Sequence, residues 1–215
     1  MTREKIPNDE YPQKPACMIL CAGTSRRFGS NKMLAPLAGK PLLAHTIDRV
    51  RPQVSKLALN GDGHDYDRFD LPVFPDVITG KLGPLAGILT AMEWAGGLGD
   101  GRVLTVSGDT PFVPDCLAAR LAQASKDTIA LSYVEGRSHQ ICGLWPTALA
   151  QDLRSVLQAG DSYRVRDFLQ RHKTVNIEFP KQNGIEPFFN VNTPEDMAKA
   201  EQILAARNGH VSGGA

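Results

Sequence analysis

M-I-L-C-A-G-T-S-R-R-F-G-S-N-K-M-L-A-P-L-A-G-K-P-L-L, residues 18–43, is an apolar run that breaks into a glycine-punctuated basic segment and then recovers. Met18, Ile19, Leu20, Cys21 and Ala22 suit a buried strand, while Gly23 and Gly29 admit backbone angles or close approaches that a side chain would block. Thr24, Ser25, Arg26, Arg27 and Lys32 add hydroxyl, guanidinium and ammonium groups beside backbone N–H groups that can face an anion. A strand delivering a phosphate-binding loop is the reading this composition supports, and a nucleoside triphosphate is the ligand it suits. No G-x-x-x-x-G-K-[ST] and no G-x-G-x-x-G occurs in the segment, so neither a P-loop kinase nor a dinucleotide dehydrogenase is supported.

Outward from this stretch, Leu42, Leu43, Ile47, Val50 and Val54 have the spacing of a helix with one buried stripe, over 41–54. Residues 56–60 predict a second strand ending at Asn60, and 72–75 a short third strand ending at Asp76. In an open α/β sheet ligands lie beyond the carboxyl ends of strands, which places Asn60 and Asp76 on the rim that carries the glycine segment; Asn60 also reads as a plain turn residue. Gly83-Pro84-Leu85-Ala86-Gly87 opens a helix with Leu85, Ile88, Leu89 and Met92 on one face. Gly83 and Gly87 keep its first turn slim, either for a base or ribose or for helix–sheet packing. Residues 102–107 form a β-branched strand running into Gly108-Asp109. A carboxylate there suits Mg²⁺, which takes a few carboxylate oxygens, waters and substrate phosphates, although a lone Asp after a strand also serves as a turn or cap.

Farther along, the strand-like 128–134 and the segment 138–146 flank Glu135-Gly136-Arg137 and read as a packed hairpin. The five histidines are scattered and form no H-x-x-x-H pair, which argues against zinc. Residues 146–158 predict a helix stopped by Ala159-Gly160, followed by a helix near 164–169 from whose start Arg164 and Arg166 project. In Pro187-Phe188-Phe189-Asn190-Val191-Asn192-Thr193-Pro194-Glu195-Asp196, Thr193 is a good N-cap and Pro194 suits the first helical position. Read as a strand, this segment puts Asn190 and Asn192 on one face, where both amides reach one ligand.

The 24 Lys+Arg against 23 Asp+Glu leave a net charge of +1, which gives no global attraction to nucleic acid or to a membrane surface. The four cysteines form no C-x-x-C pair, and no apolar run reaches the ~18 residues of a membrane span, so a reduced, cytoplasmic protein is expected. With 215 residues, one substantial core is the default: a flexible tail over 1–15, one domain over 16–207 and a flexible tail over 208–215.

Leu20, Gly23, Arg27, Phe28, Gly29 and Lys32 match the L-A-G-G-x-x-x-R-(M/F)-G-x-D-K signature of Rossmann-like nucleotidyltransferases, with Cys21-Ala22 in place of Ala-Gly and Asn31 in place of Asp. With G-P-L-A-G at 83–87, Gly-Asp at 108–109, L-Q-A-G at 157–160 and N-V-N-T-P-E-D at 190–196, the chain resembles the bacterial molybdenum cofactor guanylyltransferases over about residues 16–205. The resemblance implies an α/β, Rossmann-like nucleotidyltransferase fold, with a mostly parallel central sheet flanked by helices on both faces. It implies a Mg²⁺-dependent enzyme that uses GTP and molybdopterin, makes the guanine dinucleotide cofactor and releases pyrophosphate. By the same resemblance, Lys32, Arg27 and Asp109 are catalytic, and Asp109 holds the metal. Leu20, Cys21, Ala22, Gly23, Lys32, Asn60, Asp76, Gly83, Gly87 and Asp109 bind the nucleotide, and Arg164, Asn190 and Asn192 the acceptor, whose pocket the R-x-H…L-W text of residues 136–145 is expected to line by the same resemblance. It further implies a monomer or weak oligomer that meets molybdenum insertion proteins and molybdoenzyme chaperones. A CTP-dependent relative acting on molybdopterin or another phosphorylated acceptor is the alternative, and a non-catalytic nucleotide-binding module is a third reading.

Overall fold

The strand at the head of the decisive stretch lies at the centre of the molecule. In the computed structural model, which describes residues 14–21, 31–80, 82–160, 162–181 and 184–211, every residue of β1 (Ala16–Leu20) is buried. Cys17 and Ile19 enter one hydrophobic cluster and Ala16, Met18 and Leu20 the other, because successive side chains of a strand point to opposite faces and here both faces are covered. A 3₁₀ turn (Lys32–Leu34) and a small ribbon of β2 (Pro36–Leu37) and β3 (Lys40–Pro41) lead into α1 (Leu42–Val50). The chain continues through β4 (Leu57–Asn60), a 3₁₀ segment (His64–Phe69), β5 (Val73–Phe74), α2 (Pro84–Gly97) and β6 (Arg102–Ser107). Then come α3 (Leu117–Leu121), β7 (Ile129–Val134), β8 (Arg137–Pro146), α4 (Ala150–Ala159), α5 (Val165–Leu169), β9 (Thr174–Glu178) and α6 (Pro194–Val211).

The main sheet has seven strands in the order β5-β4-β1-β6-β8-β7-β9, parallel except where β8 runs against β6 and β7. Helices α1 and α3 bury their apolar faces on one side, and α2, α4 and α5 on the other. The order places β1 between β4 and β6, so the crossovers leave β1 on opposite sides of it and a crevice opens at its carboxyl end. Register makes the rim straight: Leu20 pairs with both Asn60 and Ser107, and Asn60 with Phe74. The expected third strand is only Val73–Phe74. Glu135 (φ 43°) and Gly136 (φ 89°) make the two-residue β7–β8 turn, both in the left-handed region that such a turn needs.

One expectation is corrected. Residues 187–193 form no strand. The Val191 N–H donates to the Asp109 carbonyl (3.0 Å), so this segment runs past the carboxyl end of β6 instead of pairing in the sheet. A small third cluster of Leu37, Leu42, Phe112, Val191 and Ala200 seats α6 against the β2–β3 ribbon.

Candidate active site

At the rim, three distant segments meet on one carboxylate. Asp109 follows β6 through Gly108, at which an added Cβ would lie 3.0 Å from Met33 Sδ, 3.2 Å from Leu43 Cδ1 and 3.3 Å from Cys21 Sγ, so a side chain there would press on three packed neighbours. The Thr46 hydroxyl donates to the Gly108 carbonyl (3.1 Å), and the Ser107 hydroxyl donates to Asp109 Oδ1 (2.6 Å). Lys32, in the first turn after the glycine segment, donates from Nζ to Asp109 Oδ2 (2.7 Å) and to Asn192 Oδ1 (2.9 Å). Lys32 and Asp109 are 8% and 7% exposed, so this pair is held away from bulk solvent, where electrostatic interactions are strong.

Beside this pair, the Asn60 amide donates to the Phe74 carbonyl (3.2 Å) and to Asp76 Oδ1 (2.9 Å). Asn60 is 0% exposed, whereas Asp76 is partly exposed, so the amide fixes the carboxylate and only the carboxylate presents itself at the rim. Asn60 Oδ1 has no hydrogen-bond partner and lies against α2, 2.5 Å from where a Cβ on Gly87 would be. Gly83 (φ 67°) precedes Pro84 at the start of α2 in a conformation that favours glycine, and a Cβ there would lie 3.6 Å from the Tyr163 carbonyl. The stretch before α5 therefore crosses the N-terminal end of α2, and the exposed Arg164 is the N-cap residue of α5. Leu20 is buried; its carbonyl accepts from Gly108 N (3.0 Å), and Cys21 N donates to the Asn60 carbonyl (2.8 Å).

Of the residues expected at the site, Lys32, Asp109 and Asn192 come into direct contact, and Leu20, Cys21, Asn60, Asp76, Gly83 and Gly87 share the rim. Asn190 is exposed two positions before Asn192, in a segment that is not a strand. Ala22, Gly23 and Arg27 lie outside the described residues. The region 136–145 divides. Trp145 is 0% exposed, donates from Nε1 to Thr105 Oγ1 (2.8 Å) and pairs with Val103 near the start of β6, far from the rim; it belongs to the core, not to an acceptor pocket. His139 stacks on Phe188 at 4.9 Å, with Nε2 3.5 Å from Glu186 Oε1, and burial pushes its pKa below the usual histidine value.

The potential metal donors at Asp109 are oxygens, its own carboxylate and the Ser107 hydroxyl; the Lys32 ammonium is bonded to Oδ2, and the Asn192 amide oxygen is bonded to the same ammonium. Among the described residues no three His, Cys, Asp or Glu side chains cluster as a metal cage. The nearby thiols are poor soft-metal ligands: burial, reinforced by Asp109, raises the pKa of Cys21, and burial pushes Cys142 up to about 12. One carboxylate with a neutral oxygen beside it fits a hard divalent cation whose remaining positions are filled by substrate phosphate and water.

Residues 17–175 match the MobA-like NTP transferase domain. The chain belongs to this family. It is 45% identical over 198 residues to the molybdenum cofactor guanylyltransferase of Rhizobium leguminosarum bv. trifolii (strain WSM2304), covering 89% of this chain and 93% of the relative. It is 44% identical to the protein of the same name from Mesorhizobium japonicum (strain LMG 29417 / CECT 9101 / MAFF 303099), covering 88% and 95%. The fold is similar to the crystal structure of molybdopterin-guanine dinucleotide biosynthesis protein A from Archaeoglobus fulgidus, with TM-score 0.69 and 20% identity over 89% of this chain and 99% of that one. The described part of the glycine-segment strand, the Gly-Asp turn and the asparagine-bearing segment share one rim.

Three contributors to this MobA-like site carried no readable signal. Ser107 is simply the last residue of a strand, Thr46 sits inside α1, and Tyr66 lies in a polar turn-rich segment with no periodicity. Tyr66 is buried, and its hydroxyl lies 3.5 Å from the Cys21 carbonyl and 3.4 Å from Asn31 Nδ2.

Proposed function

We propose that this chain transfers the GMP unit of GTP to the terminal phosphate of molybdopterin, free or molybdenum-loaded, forming the guanine dinucleotide cofactor and pyrophosphate. The observation that carries this reading is the Lys32–Asp109 pair at the rim, 2.7 Å apart and joined by Asn192, in a family whose relatives bear the guanylyltransferase name.

An acceptor phosphate oxygen attacks the α-phosphorus of GTP; a new P–O bond forms while the bond to the β-phosphate bridging oxygen breaks, and pyrophosphate leaves with that electron pair. A phosphate monoester, with its second pKa at about 6, is already largely ionised near neutral pH, so no side chain need remove a proton and positioning carries the rate. Lys32, freed from Asp109, neutralises charge on the leaving pyrophosphate, with Arg27 assigned beside it on sequence grounds. Asp109 would hold a Mg²⁺ ion, which when bound neutralises charge on phosphate oxygens. Gly83 and Gly87 let the nucleoside approach α2, backbone groups of residues 20–23 and the Asp76 carboxylate meet the base and ribose, and Asn60 fixes Asp76. Arg164, Asn190 and Asn192 are assigned to the acceptor side. On this reading residues 16–207 act as one unit in the cytoplasm, as a monomer or weak oligomer serving insertion proteins and chaperones of molybdoenzymes.

The test is pyrophosphate release with molybdopterin and Mg²⁺, comparing GTP, CTP, ATP and UTP at equal concentration. GTP-selective release is expected. CTP-selective release would overturn the base assignment and point to Cys21-Ala22, and no release with any nucleotide would overturn the reaction.

A further inference from the structure

Asn31 immediately precedes Lys32, and every polar atom of its side chain is engaged. Its Oδ1 accepts from Met33 N (3.1 Å), capping the turn that carries Lys32, and this fixes which way the amide faces. Its Nδ2 donates to Asp65 Oδ2 (3.2 Å) and to the Tyr66 hydroxyl (3.4 Å), both on the His64–Phe69 segment. The hydroxyl, accepting from Asn31, is left to donate to the Cys21 carbonyl (3.5 Å). A single polar chain thus joins the residue that ends the β1 run to the residue that presents Lys32. The Tyr66 ring is clamped in turn: a Cβ on Gly61 would lie 2.7 Å from Tyr66 Cε2.

We propose that Asn31, held by Asp65 and Tyr66, is a positioning residue for Lys32, and that the His64–Phe69 segment thereby takes part in binding the nucleotide phosphates. Capping does not select Asn over Asp at position 31, because either side chain offers the oxygen that Met33 N needs. Asp65 does select it. An aspartate at 31 would set a second carboxylate against Asp65 across the 3.2 Å now spanned by the amide, and would draw the Tyr66 proton away from the Cys21 carbonyl. The same pairing accounts for Asn31 standing where the nucleotidyltransferase signature has Asp.

The inference rests on the reading of Lys32 as a phosphate ligand, and the variants separate the two. In the full-length chain, GTP affinity and steady-state kinetics are compared for Asn31→Asp, Asn31→Asp/Asp65→Asn, Tyr66→Phe and Lys32→Ala, with melting temperature measured for each. Asn31→Asp is expected to raise the KM and Kd for GTP on the order of 10-fold, the effect of one charge-assisted hydrogen bond, with kcat changed far less. The double variant is expected to recover both only to about 3-fold of the starting protein, the level of Tyr66→Phe, because one amide and one carboxylate again face each other while the Tyr66 hydroxyl still donates to the carboxylate at position 31. Tyr66→Phe keeps the ring and tests the hydroxyl alone, with an expected KM rise of about 3-fold from one neutral hydrogen bond. Unchanged KM in both Asn31→Asp and Tyr66→Phe, with Lys32→Ala impaired, overturns the positioning role and leaves the site reading standing. A defect in Asn31→Asp that Asp65→Asn fails to rescue overturns the pairing. Normal GTP binding and turnover in Lys32→Ala overturns both readings.

Discussion

Replacing Gly87 by alanine sets two effects of known size against each other. Gly87 lies in the first turn of α2, where alanine gains about 1 kcal/mol in helix propensity. Against this, the new Cβ would lie 2.5 Å from Asn60 Oδ1 and 3.2 Å from Leu20 Cδ2. Asn60 cannot swing aside freely, since it is fully buried and its Nδ2 is bonded to the Phe74 carbonyl and to Asp76. Either the amide rotates and gives up the Asp76 bond, or α2 moves off β1 and β4. Overpacking of this kind costs about 1–3 kcal/mol, and losing a hydrogen bond to a carboxylate costs about 1.5–3 kcal/mol. The clash therefore outweighs the propensity gain, and Gly87→Ala should lose about 1–2 kcal/mol, a fall of about 2–8 °C in melting temperature for a domain of this size.

The functional consequence is larger than the stability loss alone, because the cheapest relief releases Asp76 at the rim; the KM for GTP should rise about 10-fold. Equilibrium denaturation gives the first quantity and initial rates against GTP concentration the second. Asn60→Ala in the Gly87→Ala background removes the atom that is struck, so the double variant should be less destabilised than the sum of the singles. A Gly87→Ala protein as stable as the parent, with the GTP KM unchanged, would refute the close packing of Gly87 on Asn60 and its link to Asp76.

Asp109→Ala and Lys32→Ala should each lower turnover by about 10²-fold or more with the fold intact, as removal of a preorganised electrostatic group does, and steady-state rates with circular dichroism as a fold control check this. His139 gives a pH signature. Burial depresses its pKa in the folded chain, with Arg137 adding to the shift and Glu186 partly opposing it, so as pH falls below the ordinary value of 6.5 the unfolded chain takes up the proton first. Its contribution to stability is complete above that value and is lost as pH falls toward the folded value. Denaturation midpoints between about pH 7.5 and 5.5 should therefore decline, and His139→Gln should flatten the decline.

How far the site was legible depends on whether each residue's role is set by its own strand or by a distant partner. Asp109 was legible because it stands just past a buried strand, and Lys32 because it follows the glycine-punctuated basic segment that β1 leads into; in a parallel sheet the strand ends align, and Leu20 pairs with Asn60 and with Ser107. Nothing local said that their charges would meet at 2.7 Å, since Lys32 lies twelve positions beyond the end of β1. The strand reading of 187–193 fails for the converse reason. Alternation within 187–193 looks like a strand, yet the Val191 N–H finds its acceptor on Asp109, and no local pattern reveals a backbone bond to so remote a carbonyl. Resemblance to family text assigns the region 136–145 to an acceptor pocket as one block, whereas β8 (Arg137–Pro146) runs antiparallel beside β6 and carries its two ends to opposite ends of the sheet.

Asn60 and Asp76 show why residue type and position alone do not fix a role. Both are polar, both close a strand, and both were expected to touch nucleoside. Burial separates them: Asn60, covered by the α2 turn at Gly87, spends both amide hydrogens inside the protein, while Asp76 keeps part of its carboxylate at the surface. An amide suits the first position because its two N–H groups donate to a carbonyl and a carboxylate at once, which an aspartate, with at most one O–H, could not do. The carboxylate at the second position, an acceptor-only group, receives Asn60 on one oxygen and keeps acceptor capacity at the partly exposed rim. The division of labour follows from where α2 lands, and that is set by Gly83 and Gly87, the two residues of the segment with no side chain of their own to contribute.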